Sequence, residues 1–521
     1  MSLQKQSTAG AVGTAGDERE NGNSDSKYAM QVIVLGPTGG PREDRVTGIL
    51  VRPLASGWAP HSMVAVDAGT LLCGIIDILD DCEIEDGSIT SGPFAGLRLP
   101  HKGTSANAAY IFQRIIGAIL ITHAHLDHVS ALAINSPILE TGSGPKTVAA
   151  LPSVVGAIKA HVFNDIIWPN LSDEDGGAGL ITYQRLIEGG NPIMGRGELR
   201  GYVRAGDGLL TRCFGVSHGR CKARIEDDYH DIFRRASSVR LSERHRMSAS
   251  MPGTRTSSDA FLSPYSNSES TWTAIDSSAF FIRDEHTGAE IIIFGDVEPD
   301  SLSLNPRNRR VWEVAAPKLA RSQLRAIFIE CSYNEDVEDE FLFGHLCPRH
   351  LVKELSVLAR FVADEKGIAF PATAKRKRSS SGQPNAEPLS PKSKRSTISG
   401  RNRHSSNQSP HRNGRRSVKR TDETEEGSDS PVPSSSLDSN PLRRKLSAAK
   451  YGINGSKDVK CGADLDMPLF GLSIYLIHIK DDMSDGPHPR EQILQELTEQ
   501  GQAAGLGCKF HVPKRGESIY I

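Results

Sequence analysis

The chain has 521 residues, of which 38% are hydrophobic and 24% charged, so a fully disordered polypeptide is excluded, while 49 Gly, 29 Pro and several Ser-rich runs show that part of it does not pack. Its formal net charge of −2 conceals an asymmetry: residues 371–450 hold 18 Lys/Arg against 7 Asp/Glu, leaving 43 basic and 56 acidic residues elsewhere. A basic tract is attached to an acidic body, which argues against an extended nucleic-acid surface but leaves room for a locally positive pocket for one phosphate.

Residues 1–29 are polar and read as a disordered tail, without the apolar stretch of a secretory signal. No run approaches the roughly 20 apolar residues of a membrane span. The eight cysteines are scattered with no C-x-x-C pair, so neither a disulfide framework nor a zinc ribbon is indicated. A cytoplasmic protein is the expectation. Order begins near Met30, with a strand over 31–35 running into the glycine turn Gly36-Pro37-Thr38-Gly39-Gly40-Pro41. A second strand, 62–66, ends at Asp67-Ala68-Gly69, placing a carboxylate and a glycine at a strand tip, where sites form in layered α/β folds. The apolar, β-branched run 115–122 leads into His123–His128 and then a helix through Ala133. Further strands are predicted at 208–216, 278–282, 290–294, 326–329 and 472–479, and helices at 153–163, 348–363 and 490–503. Two stretches interrupt the pattern, about 237–270 and 373–451, rich in Ser, Arg, Lys and Pro. Both read as disordered insertions thrown out of one domain spanning 30–521, because strand-like sequence resumes after each.

The strongest chemical signal is His123-Ala124-His125-Leu126-Asp127-His128, at the end of a buried strand. Three imidazoles and a carboxylate within six residues supply nitrogen and oxygen ligands suited to Zn²⁺, and packing gives no reason to crowd them there. In an extended loop, side chains two apart point the same way, so His123 and His125 can grip one ion while Asp127 and His128 face a second. Taken singly, Asp296 at the end of the apolar run 291–294 reads equally as a turn carboxylate, and His478 inside an apolar run reads as a buried structural histidine. His218 lies between two small residues, Ser217 and Gly219, that permit close approach of a ligand.

The first motif with its continuation Val129–Pro137 closely resembles the signature of the class II cyclic-nucleotide phosphodiesterases, the low-affinity cyclic AMP phosphodiesterases of fungi. The resemblance extends in order through Asp67-Ala68-Gly69, Ser217-His218-Gly219, Phe294 to Asp300, Ile329 to Tyr333, Gly344-His345-Leu346 and Ile477 to Lys480. It implies a metallo-β-lactamase fold, a four-layered αββα sandwich, and a dinuclear zinc site. By similarity to the family, His123, His125 and His218 hold the first ion, Asp127, His128 and His478 the second, and Asp296 bridges both. A hydroxide shared between the ions is the implied nucleophile on 3′,5′-cyclic AMP, with a 5′-monophosphate as product. His345 is the candidate for phosphate contact or proton donation, Asp67 and Glu330 for orienting ligand imidazoles, and Gly39 and Gly40 for a place under the substrate. Preference for adenine follows from the resemblance alone.

Arg234-Arg235-Ala236-Ser237 matches the pattern favoured by cyclic AMP-dependent protein kinase, and Ser237 is the expected regulatory site. Lys375-Arg376-Lys377-Arg378 has the form of a nuclear-import address. Three rival readings share the sequence features: an RNA-processing endonuclease or a glyoxalase-type thioester hydrolase of the same fold, and a non-catalytic scaffold that keeps the metal site for stability.

Overall fold

The runs of apolar residues that begin at Met30 build two stacked sheets. A computed structural model of the chain describes residues 28–139, 144–222, 272–368, 370 and 467–521. The first 27 residues of the expected tail, both expected insertions with Ser237, and the basic tetrad at 375–378 lie outside these residues.

The first sheet contains β1 (Met30–Gly36), β2 (Gly48–Pro53), β3 (Met63–Val66), β6 (Ile116–Leu120), β7 (Lys146–Ala150), β8 (Ile181–Arg185) and β16 (Ser518–Tyr520) in the order β16-β1-β2-β3-β6-β7-β8. A small ribbon, β4 (Ile84–Glu85) and β5 (Ser88–Ile89), stands apart from it. The second sheet contains β9 (Val203–Gly206), β10 (Leu209–Lys222), β11 (Trp272–Asp284), β12 (Glu290–Phe294), β13 (Leu324–Glu330), β14 (Ser473–Ile477) and β15 (Lys509–His511) in the order β15-β14-β13-β12-β11-β10-β9. Each sheet is antiparallel in one half and parallel in the other. The parallel halves run β3-β6-β7-β8 and β12-β13-β14-β15.

Seven α-helices are described: α1 (Leu72–Asp80), α2 (Thr104–Tyr110), α3 (Leu126–Ile134), α4 (Pro152–His161), α5 (Asn308–Ala320), α6 (Pro348–Lys366) and α7 (Pro489–Ala503). The layering follows from strand periodicity, since successive side chains point to opposite faces. Phe280, Ile282, Ile291, Ile293 and Phe328 join one core with the first sheet, whereas their neighbours Phe281, Ile292, Phe294, Ile327 and Ile329 pack with Trp312 of α5 and Leu355 of α6 in another. Helices α1 to α4 contribute Ile75, Ala108, Val129 and Val155 to the first core. This is the expected αββα arrangement, and strands buried on both faces read as continuous apolar runs for that reason.

Several elements differ from expectation. The strand predicted at 278–282 extends over Trp272–Asp284, because it pairs with β10 in register from Leu209↔Asp284 to Lys222↔Trp272. Its polar residues Ser277 and Ser278 are fully buried, so neither periodicity nor polarity betrays it. Strands β2, β4, β5, β7, β8, β9, β15 and β16 and helices α1, α2 and α5 were not predicted. Helix α5 carries a charged first turn and an internal Pro317, yet buries Val311, Trp312, Ala315 and Ala316 against the sheet. The functional consequence lies at the ends of β3, β6, β12, β13 and β14, which together with the His218 bend of β10 bring both sheets to one edge of the seam.

Candidate active site

Asp67, immediately after β3, organises the site from below. Its Oδ1 accepts from the Thr122 backbone N–H at 2.8 Å, and its carboxylate accepts from the Thr122 hydroxyl at 2.9 Å and from His128 Nδ1 at 2.8 Å. Because the Thr122 hydroxyl donates to Asp67, its oxygen is left to accept from His123 Nδ1, 3.1 Å away. His218 Nδ1 donates to the Gly344 carbonyl at 2.9 Å, and His478 Nδ1 lies 2.8 Å from the Thr47 hydroxyl. The acceptors Asp67, Thr122 and Gly344 hold Nδ1 of His128, His123 and His218 as the protonated nitrogen, so these three direct Nε2 inward, and Thr47 holds the His478 ring in place through its Nδ1. His125 is the exception, with its Nδ1 at 3.2 Å from His218 Nε2.

All of these atoms surround Asp296 at the tip of β12. Asp296 Oδ2 lies 3.1 Å from His478 Nε2 and 3.6 Å from both His123 and His218 Nε2, and Oδ1 lies 3.2 Å from His128 Nε2. Asp127 Oδ2 approaches His478 Nε2 at 3.6 Å and His128 Nε2 at 3.9 Å. The structure thus brings all seven expected ligands together. They fall into two groups, His123, His125, His218, Asp296 and Asp127, His128, Asp296, His478, with the ligand atoms of each group within 4.8 Å of one another.

Four buried atoms, Nε2 of His123, His128 and His478 and Oδ1 of Asp296, have no hydrogen-bond partner. Leaving buried polar atoms unpaired costs about 1–3 kcal/mol each, and more for a charge. Divalent metal binding across the two groups would satisfy all four, so the residues fit a metal centre. Electrostatics agree. Burial holds His123 well below the usual imidazole range and His218 at about 4, so both are neutral, the ligating form. Burial opposes charge on His128 as well, but Asp296 and Asp67 override it and raise its pKa well above the ordinary value. The positive charge those carboxylates draw onto His128 is the kind a metal ion supplies.

His345 and Glu330 form a second unit. Both Glu330 oxygens lie 3.0 Å from His345 Nδ1, and Glu330 also accepts from the Val297 backbone N–H at 2.7 Å. Sequence reasoning assigned Glu330 to a ligand imidazole; it instead holds His345, which is none of the seven, and steadies the backbone next to Asp296. Burial works against a charged His345, yet Glu330 and then Asp296 raise its pKa. With Nδ1 committed, Nε2 is left for an incoming ligand.

The glycine turn packs against the centre. A Cβ on Gly39 would fall 2.6 Å from Cδ2 and Nε2 of His478, so this residue backs the imidazole. Gly40, with φ +91, lines a neighbouring cleft of about 670 Å³ with Thr38, Arg42, Asp481 and Lys514, whose walls contain none of the seven ligands. Asp67 and His478 adopt left-handed φ of 60 and 58, strain of about 1–3 kcal/mol each that the surrounding bonds hold in place. Thr47, Thr122 and Ser332, whose hydroxyl lies 2.5 Å from Glu330 Oε2, were missed by sequence reasoning. The adjacency of Thr122 to the first motif was the one available signal.

Two stacked mixed sheets between helical layers, with a histidine and aspartate centre at one edge of the seam, define a metal-dependent hydrolase of the metallo-β-lactamase fold. The chain belongs to the class-II cAMP phosphodiesterases, whose sequence profile matches residues 39–189 and 230–371, more than half of its length. As a member of that family it is a 3′,5′-cyclic-nucleotide phosphodiesterase. It is 28% identical over 337 residues to the 3′,5′-cyclic-nucleotide phosphodiesterase of Schizosaccharomyces pombe, which covers 65% of this chain and 77% of that protein. It is likewise 28% identical over 340 residues to the probable 3′,5′-cyclic-nucleotide phosphodiesterase of Yersinia pestis, with 64% and 74% covered. Its fold is similar to the crystal structure of unliganded yeast PDE1, with a TM-score of 0.55, 18% identity, and coverage of 95% of this chain and 100% of that one.

Proposed function

We propose that the chain hydrolyses 3′,5′-cyclic AMP to 5′-AMP at a centre for two zinc ions. His123, His125 and His218 would hold the first, Asp127, His128 and His478 the second, and Asp296 would serve both. The observation that carries this reading is the division of the seven side chains into two groups that share only Asp296. When bound, zinc supplies Lewis acidity, polarising phosphoryl oxygens and lowering the pKa of water to about 7.

The chain's own residues prepare that chemistry. Asp67, Thr122 and the Gly344 carbonyl fix which nitrogen of His128, His123 and His218 carries the proton, and Thr47 steadies the His478 ring, so these imidazoles need not turn to ligate. Glu330 keeps a proton on Nδ1 of His345 and favours the doubly protonated ring, whose Nε2–H is free to donate. As water adds to phosphorus the P–O3′ bond breaks, and the departing 3′ oxygen must take up a proton. His345 is the group assigned to that transfer or to neutralising the phosphate.

The test is incubation of purified, zinc-loaded chain with cyclic AMP, cyclic GMP and a precursor tRNA, followed by chromatography of the products. Formation of 5′-AMP is expected. Appearance of 3′-AMP, or tRNA cleavage without nucleotide hydrolysis, would overturn the reading. Asp296→Asn should abolish turnover and lower the metal content found by elemental analysis, whereas a scaffold would keep its partners.

A further inference from the structure

Two large apolar side chains on segments that carry residues of the centre are solvent-exposed. Leu126, between His125 and Asp127, is 72% exposed, and Phe343, two residues before His345, is 70% exposed. Phe343 is also in an unusual conformation. The His345 N–H donates to the Leu342 carbonyl at 2.9 Å, closing a tight turn whose central residues Phe343 and Gly344 have φ of +49 and +86. Turns with two left-handed residues take Gly, Asn or Asp at these positions, because Cβ crowding disfavours bulkier ones. A phenylalanine here is both conformationally disfavoured and deprived of the burial that ordinarily accompanies an aromatic ring.

The backbones bearing these side chains are fastened to the centre. Gly344 accepts the Nδ1 hydrogen bond of His218. The ring of His125, next to Leu126, stands 4.9 Å from that of His218, centroid to centroid. Strain that persists where a site is assembled points to use, as does exposed apolar surface. The substrate class supplies the use. The cations that the histidines and aspartates of the centre would hold answer a phosphate, which leaves the flat faces of the nucleobase unrecognised.

We propose that Phe343 and Leu126 form the nucleobase subsite, with the Phe343 ring as the stacking platform and Leu126 as a second apolar contact. This rests on the reading of the centre as a cyclic-nucleotide hydrolase. Stacking on an aromatic is tolerant of base identity, so the subsite accepts adenine and guanine alike and sets affinity rather than selectivity.

The experiment is steady-state kinetics of the full zinc-loaded chain and its Phe343→Asn, Phe343→Ala, Phe343→Trp and Leu126→Ala variants. The substrates are cyclic AMP, cyclic GMP and the baseless ribose 3′,5′-cyclic phosphate. Phe343→Asn suits the turn better than the native residue, so it keeps the fold while removing the ring. Expected are a KM raised about tenfold for both nucleotides in Phe343→Asn and Phe343→Ala, within the range one base-aromatic stack allows. A smaller rise in Leu126→Ala, near-native values in Phe343→Trp, and no change on the baseless substrate are also expected. Unchanged KM for cyclic AMP in Phe343→Asn would overturn the proposal, and so would an equal loss on the baseless substrate, which marks a purely structural turn. If the native chain hydrolyses none of the three, the reading of the centre fails and the subsite falls with it.

Discussion

Asp67 touches no candidate metal position yet reaches His128 directly and His123 through the Thr122 hydroxyl. Removing such a partner of a ligand typically costs about 10–100-fold in metal affinity or activity, and Asp67→Ala is expected to fall in that range when zinc competition and turnover are measured together. His345 should behave differently. His345→Ala is expected to lower kcat by about 10²–10⁴-fold while zinc stoichiometry stays at the native value, since its Nδ1 is engaged by Glu330 and it is none of the seven candidate ligands. The density of imidazoles at His123–His128 made the first half of the centre legible from the chain alone. The hydroxyl partners were illegible for a physical reason: Thr47 meets His478 across 431 residues, and nothing local to a threonine distinguishes one that will hydrogen-bond an imidazole from one that meets water. Glu330 was found, but its partner was misjudged, because which imidazole a strand-tip carboxylate meets is decided by the packing of β13 against the turn at 343–345.

At the scale of elements, the loop after β1 and the residue after β14 are fitted to one another with no spare room. Gly39→Ala would press a methyl into the His478 ring, and the expected outcome is a chain that folds but binds metal weakly, read as loss of zinc on dialysis with an unchanged far-ultraviolet spectrum. In the outer helical layer Trp312 of α5 is fully buried, and its Nε1 donates to Glu354 of α6 at 2.8 Å. Trp312→Ala is expected to destabilise by about 3–5 kcal/mol in urea unfolding, since it opens a cavity and removes a donor from a buried carboxyl. The edge strand β8 offers a pH-dependent case. Hydrogen bonds from Arg185, then from Lys159 of α4, lower the Glu174 pKa from 4.5 to about 2. A depressed carboxylate stabilises the fold above its unfolded pKa and loses that contribution as pH falls through the folded one. Glu174→Gln should therefore flatten the loss of stability between pH 4.5 and about 2, with solvent exposure keeping the effect modest. Helix α5 and the ends of strand β11 show why some segments are hard to read locally: Arg310 and Lys318 of α5 and Arg283 of β11 pair with Glu188, Glu290 and Glu198 on other segments, so local pattern understates their burial.

For the whole molecule, the apolar runs showed strands and helices in one interrupted domain, while the four-layered arrangement followed only from the resemblance that the ordered strand-tip motifs carry, because pattern along a chain does not say which strand lies beside which. The domain reading makes its own prediction. A chain lacking residues 373–451 should retain kcat, KM and zinc content, as expected if that tract is thrown out of the domain, and loss of soluble protein on deletion would count against it. The candidate ligands also come from both sides of the seam, His123 and His125 from the loop after β6, Asp127 and His128 from the first turn of α3, and His218, Asp296 and His478 from strands of the second sheet or the residues just after them. A cation gripped from both halves can be held only while they are docked, so it acts as a rivet as well as a reagent. Zinc at a thousand times its dissociation constant would then add about 4 kcal/mol to the folded state by mass action alone. A chelator should consequently do two things in one titration, silencing hydrolysis and lowering the melting temperature, and starvation for the metal would thin out the enzyme itself along with its activity.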